Sequence, residues 1–264
     1  MATKYDRIAA DLRRKIQSGQ LVPGSQMSAE TALMADYNVS LLTMRRALDQ
    51  LQAEGLIEKQ QGKGTFVRRP RRRVRRTTDR YQWEKDRALL SEDERRRTGA
   101  TEHDTGLTVH DLSFHAEFDT IPADADLADA FDVPAGTKLL RRVYRTRSND
   151  EDAPFNLSRS HLLYDMAAQN PDLLDPDNEP WPGGTQHQLR TVGVEVDRII
   201  DEVTARPPSP DEAETLRIEA GVSVIVLRKH LIDTNGRVVE VADVLMPGDR
   251  TRLVYTTNLS RWSA

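Results

Sequence analysis

Thirty consecutive residues, NVSLLTMRRALDQLQAEGLIEKQQGKGTFV from Asn38 to Val67, set the tightest limit on what this chain folds into. Ser40 is placed to cap a helix. Met44, Ala47, Leu48 and Leu51 then recur at the three- and four-residue steps of one buried stripe, leaving Leu41, Thr43, Arg45, Arg46 and Gln50 to point elsewhere. Gly55 ends that helix, and Leu56-Ile57 and Thr65-Phe66-Val67 read as two short strands. Their connection, Gln60-Gln61-Gly62-Lys63-Gly64, carries two glycines that permit the positive φ of a tight tip. Upstream, Tyr5, Ile8, Ala9, Leu12 and Ile16 form another helical stripe ending at Gly19. After a turn at Pro23-Gly24, Ser28 is positioned to cap a short second helix that breaks at Tyr37-Asn38. Three helices followed by a β-hairpin make a winged helix-turn-helix over residues 1–67.

Such a unit fits double-stranded DNA for a physical reason. The major groove is roughly 12 Å wide and admits one helix, whose N-terminal residues lie nearest the base edges. Arg45 and Arg46 sit in the first turn and a half of the third helix, and arginine matches guanine O6 and N7. Thr43 and the Ser40 helix start are placed for phosphates. Gly62 and Gly64 let the wing tip approach the duplex, and Lys63 supplies charge there. The charge distribution agrees. Residues 1–76 hold 16 Lys and Arg against 7 Asp and Glu, net +9, whereas the remainder holds 22 against 35, net −13. A basic head on an acidic body implies a polyanionic partner for the head alone.

The 264 residues suffice for two ordinary domains. Cysteine is absent, which removes disulfides, thiolate zinc sites and Cys nucleophiles and fits a reducing interior. No apolar stretch approaches the roughly 20 residues of a membrane span, and no secretory signal opens the chain, so the expected location is the cytoplasm. Residues 68–76, RRPRRRVRR, and the mixed charges up to Thr105 read as an Arg-rich linker, with SEDERRR as a helical piece. Beyond it a repeat emerges. LADAFDVPAGTKLLRRVYR and AETLRIEAGVSVIVLRK each hold a helix end, a small-residue turn and a strand, with Phe131, Val133 and Gly136 superposing on Leu216, Ile218 and Gly221 at an offset of 85. Each copy turns through an acidic or Gly-containing loop into another strand. Two helix-plus-hairpin units build an antiparallel sheet flanked by helices, so the expected class is a two-domain α+β protein.

The first 67 residues resemble the DNA-binding domain of GntR-type bacterial transcription regulators. The matching residues are Tyr5, Ile8, Leu12, Ile16, GQLVPG at 19–24, Glu30, Leu33, then Val39, Ser40, Thr43 and Arg45, and EGLIEKQQGKGTFV. Residues from about 105 onward are similar to the UTRA effector-binding domain of the HutC-like branch, which has a chorismate-lyase-like fold; the match rests on the repeat, DTNGRVVEV and PGDR at 247–250. The domain expectation is therefore 1–67, a linker at 68–105, and an effector-binding and dimerisation domain at 106–264. Departures from the family pattern fall at Met27-Ser28-Ala29-Glu30, where Leu-Pro-Ser-Glu is usual, and at Leu41, where an arginine is usual. The second departure implies an altered operator sequence, with Arg46 contributing more.

The resemblance also implies a small-molecule effector, anionic or polyol, held by Arg145, Arg147, Thr185 and Glu240. The residues agree in kind: Arg145 and Arg147 stand two apart in a strand and share a face. Gly183-Gly184-Thr185 precedes a helix, QHQLRTVG, whose N-terminus suits an anion. Glu240 accepts from hydroxyls. Ser158 stands where an acidic residue is usual and Met246 where an aromatic is, which argues against the amino-sugar phosphate of some relatives. The leading expectation is a homodimeric, ligand-responsive repressor on a pseudo-palindromic operator, without metal or cofactor. Two alternatives remain open: a ligand-blind DNA-binding dimer of plasmid or chromosome, and an enzyme, since the C-terminal fold resembles a lyase. No Ser-His-Asp set, metal cluster or carboxylate pair supports the enzyme.

Overall fold

A computed structural model describes residues 3–69, 71–219 and 221–260. The chain divides into two compact units: one runs to Arg72 and takes in Pro207–Ala213 and Ile218–Ser223, and the other comprises Arg73–Arg206, Glu214–Arg217 and the chain from Val224 onward.

In the first unit α1 (Lys4–Gln17), α2 (Glu30–Tyr37) and α3 (Leu41–Ala53) precede an antiparallel hairpin of β1 (Ile57–Gln60) and β2 (Gly64–Val67). The core collects Ile8, Ala9 and Leu12 of α1, Leu33 of α2 and Met44, Ala47, Leu48 and Leu51 of α3, with Met27, Ile57 and Val67. Burying an aliphatic side chain of this size contributes about 1.5–3 kcal/mol, so the four-residue stripe of α3 fixes which of its faces stays outward. Asn38 takes the left-handed conformation at φ 50°, which stops α2 and turns the chain into α3. The expected Ser28 cap is not formed. Ala29 is the N-cap of α2 and makes no side-chain cap bond, while the acidic Glu30 occupies the first turn, where the helix dipole favours negative charge.

The chain continues through β3 (Val74–Thr77), α4 (Arg80–Arg87), α5 (Glu92–Arg96), α6 (Ala100–Thr105), β4 (Leu112–Pro122), α7 (Ala125–Phe131), β5 (Lys138–Ser148), β6 (Asn156–Leu163), α8 (Tyr164–Ala167), α9 (Gly184–Thr191), β7 (Val196–Arg206), α10 (Pro210–Leu216), β8 (Val224–Asp233), β9 (Val238–Pro247) and β10 (Thr251–Val254). Six strands form one antiparallel sheet in the order β4-β5-β6-β9-β8-β7. That order displays the internal repeat: strand, helix and hairpin occur as β4, α7, β5-β6 and again as β7, α10, β8-β9, and the two hairpins meet through β6 and β9. The turns repeat too. Asp132 and Arg217 both hold left-handed φ, 55° and 49°, and Gly136 and Gly221 follow at 85° and 86°.

Residues 73–105 differ from the linker expectation. β3 runs parallel to β10, and α4–α6 belong to the same compact unit as the sheet. The reason is paired burial of charge: Arg80, 8% exposed, reaches Glu84 at 2.6 Å and also Asp104, while Arg87 donates to the Arg95 and Thr98 carbonyls. Charged side chains that satisfy one another inside a fold look, in composition, like a solvated segment.

Candidate nucleic-acid interface and effector site

On the winged-helix unit, Ser40 caps α3, its hydroxyl accepting from Thr43 N–H at 3.4 Å and lying 3.0 Å from the Thr43 hydroxyl. Arg45 and Arg46 are exposed on the outward face. Arg45 Nε donates to Glu30 Oε2 at 2.9 Å, so the first residue of α2 orients the guanidinium. In the wing, Gln60 pairs with Gly64, and Gly62 and Gly64 hold φ 75° and 116°. Gly64 also makes room for Gln26: a Cβ there would meet Gln26 Nε2 at 2.8 Å, and that amide donates to the Lys63 carbonyl at 2.8 Å, leaving the Lys63 ammonium outward. Glu30 and Gln26 thus hold the presented residues in place. The sequence flagged Glu30 only as a family match and Gln26 not at all, since neither contact is local.

In the second unit, cross-strand register decides which polar residues meet. Arg142 pairs with Ser160, Ser160 with Ala242, and Leu162 with Glu240, so Arg142, Tyr144, Ser158, Ser160 and Glu240 line one face of the sheet. Arg145 and Arg147 line the other. The expected effector set is therefore separated: Ser158 and Glu240 share a face that Arg145 and Arg147 do not. Arg145 instead meets Glu117 at 2.5 Å, and Arg147 donates at 3.4 and 3.5 Å to the Glu151 and Ser148 carbonyls.

The arginine on the Ser158 and Glu240 face is Arg142. It is fully buried and bonds Glu240 at 2.9 Å, Ser160 at 2.7 Å and, through Nη1, Gln188 of α9 at 2.8 Å. Ser160 also donates to Glu240 Oε1. Gln188 donates to Glu179 at 2.8 Å, and the Tyr144 hydroxyl reaches the same oxygen at 2.9 Å. Thr185 lies one turn before Gln188, in the first turn of α9. Burial works against the Arg142 charge, but neighbouring Tyr144, Glu240 and Glu179 outweigh it and hold its pKa above the ordinary value. Burial likewise raises the Tyr144 phenol well above its usual range, with Arg142 opposing.

This polar belt lies between two apolar patches on the same face. At one end Leu140, Leu162 and Leu231 pack with Leu189 of α9, and at the other Leu227, Val244 and Met246 pack with Leu253 of β10. One oxygen and one ammonium in the belt stand apart from the Arg142 network. Glu240 Oε2 is buried without a hydrogen-bond partner. Lys229 faces the Tyr81 ring at 5.6 Å, and burial lowers its pKa while Glu240 pulls the other way. Lys229 and Arg142 escaped the sequence reading because alternation sorts a strand into two faces without saying which is covered.

A winged helix-turn-helix followed by a helix-flanked antiparallel sheet defines a two-domain bacterial transcription regulator. Family comparison agrees: the model described as bacterial regulatory proteins, gntR family, matches residues 4–67, and the UTRA domain matches residues 113–252. The chain belongs to the GntR-type regulators that carry a UTRA domain, and it is a regulator, not an enzyme. Among its relatives, the histidine utilization repressor of Pseudomonas aeruginosa is 28% identical over 96% of this chain and 90% of its own, and the repressor NagR of Bacillus subtilis is 24% identical over 95% and 93%. A crystal structure of PhnF from Mycobacterium smegmatis shares the fold, with a TM-score of 0.53 at 20% identity over 96% of this chain and 99% of that one. Among the described residues, no helix is long and apolar enough to cross a membrane.

Proposed function

We propose that this regulator is a homodimeric repressor that binds a pseudo-palindromic operator through Ser40, Thr43, Arg45, Arg46 and the Gly62-Lys63-Gly64 tip, and releases it when a small effector binds the sheet domain. Two full-length relatives carry the name repressor, which supports the sign of regulation. Dimerisation follows from the size of the DNA unit: one winged helix reads too few base pairs, and a two-fold protein suits a two-fold site. The observation that carries ligand response is the buried polar belt. A core needs no fully buried Arg142, and a buried ion pair is weak support for stability alone. The unpartnered Glu240 Oε2 and the Lys229 ammonium beside Tyr81 suit a hydroxylated, anionic molecule, with Ser158 and Ser160 on the same face and Thr185 one turn before Gln188 in α9. In this reading Arg142 stands in for Arg145 and Arg147.

A second reading keeps the DNA binding and drops the ligand. It is favoured by how far the belt already satisfies itself, with Arg142 bonded to Glu240, Ser160 and Gln188. A thermal-shift screen of sugar phosphates, hydroxy acids and polyols separates the two. A true effector at ~100 times its dissociation constant stabilises by about 2.7 kcal/mol, and the same compound releases operator in a gel shift. Operator binding indifferent to every compound in the screen favours the ligand-blind dimer.

A further inference from the structure

α3 presents an apolar side chain where a DNA reader ordinarily shows polar ones. Leu42 is 63% exposed, although it stands in the first turn of α3, two residues after the capping Ser40. Its neighbour Leu41 is partly covered. A single exposed leucine needs no explanation on most surfaces. Here its position matters: residues three and four apart share a helix face, so Leu42 lies in one stripe with Arg45 and Arg46. The buried stripe of Met44, Ala47, Leu48 and Leu51 holds that face outward. The three side chains therefore enter the groove together or not at all.

We propose that Leu42 is a base-reading residue, selecting a T·A pair through the thymine 5-methyl group. The major groove edge of thymine is the one that offers an apolar group, and a leucine has no hydrogen bond to give to the other bases. A guanine read by Arg45 or Arg46 and a thymine read by Leu42 then stand within a helical turn of each other in each half-site. An exposed leucine gains by covering a methyl group, and it leaves any other base edge desolvated without a partner. The inference rests on the docking of α3 in the major groove set out above and goes beyond it by assigning a residue and its base.

The test begins with selection of a preferred duplex from random DNA by the full-length protein. Each thymine of the selected half-site is then replaced by deoxyuridine, which removes the methyl and nothing else. Wild type is expected to lose roughly fourfold in affinity at one position, the value of one buried methyl-sized group. Leu42→Ala loses affinity for the parent duplex and becomes insensitive to deoxyuridine at that position, while Leu42→Met keeps the sensitivity. Leu42 is exposed and alanine is a strong helix former, so folding is preserved. Wild type that tolerates deoxyuridine everywhere, or Leu42→Ala that remains equally sensitive, overturns the assignment while leaving the docking intact. A protein that selects no sequence overturns the docking and this inference with it.

Discussion

The two units place their charged residues in opposite ways. On the winged helix the arginine proposed to read DNA is outside: the Arg45 side chain is 56% exposed and meets Glu30 through Nε. In the sheet unit the Arg142 side chain is wholly buried against Glu240. An exposed cation is available to a phosphate or a base without reorganisation, so the first unit is ready to bind as it stands. A buried cation has already exchanged water for protein partners, and another molecule reaches it only by displacing one of them. On the proposed reading, DNA affinity is a surface property, whereas a ligand response has to alter an internal network.

Four substitutions test that contrast. The largest effect is expected for Arg142→Ala, which leaves Glu240 buried without its counter-charge and costs about 3–5 kcal/mol of stability. Urea unfolding reads it directly, and a loss below about 1 kcal/mol breaks the contrast. Arg45→Ala comes next, on binding instead of folding: operator affinity falls by about 1–3 kcal/mol with relaxed preference at one base pair. Gel shifts that show wild-type affinity remove α3 from the groove. Lys63→Ala weakens all sequences about equally and lowers the slope of log affinity against log salt by about one. A loss confined to one sequence contradicts the assignment of Lys63 to phosphate. Smallest is Arg145→Ala, a half-exposed partner of Glu117, which costs at most about 1 kcal/mol of stability. A melting shift as large as that of Arg142→Ala reverses the assignment of faces.

The winged helix was legible because its signals are local. A cap at Ser40, a stripe from Met44 to Leu51 and glycines at the wing tip each act within a few residues, and the structure has all of them. The repeat was legible for the same reason, as turn chemistry recurring at one offset. The segment 73–105 was not, because Arg80, Glu84 and Asp104 find one another only in the fold. Its arginines are not uniformly free either: Arg76 is 8% exposed and lies 5.9 Å from the Tyr81 ring centroid. The expected effector residues turned on one binary choice that the sequence leaves open. β5 carries polar side chains on both faces, Arg141, Arg145 and Arg147 against Arg142 and Tyr144, so hydrophobic alternation cannot say which face the helices cover. The contact between Gln188 and Arg142, 46 residues apart, decides it.

Reciprocal linkage between effector and operator tests the proposed coupling of the two regions. The stabilising compound from the screen is titrated calorimetrically into free protein and into protein saturated with its selected operator. Weaker binding to the operator complex is expected, by the same factor that the compound weakens operator binding in a separate titration. Equal affinity for free and operator-bound protein contradicts it.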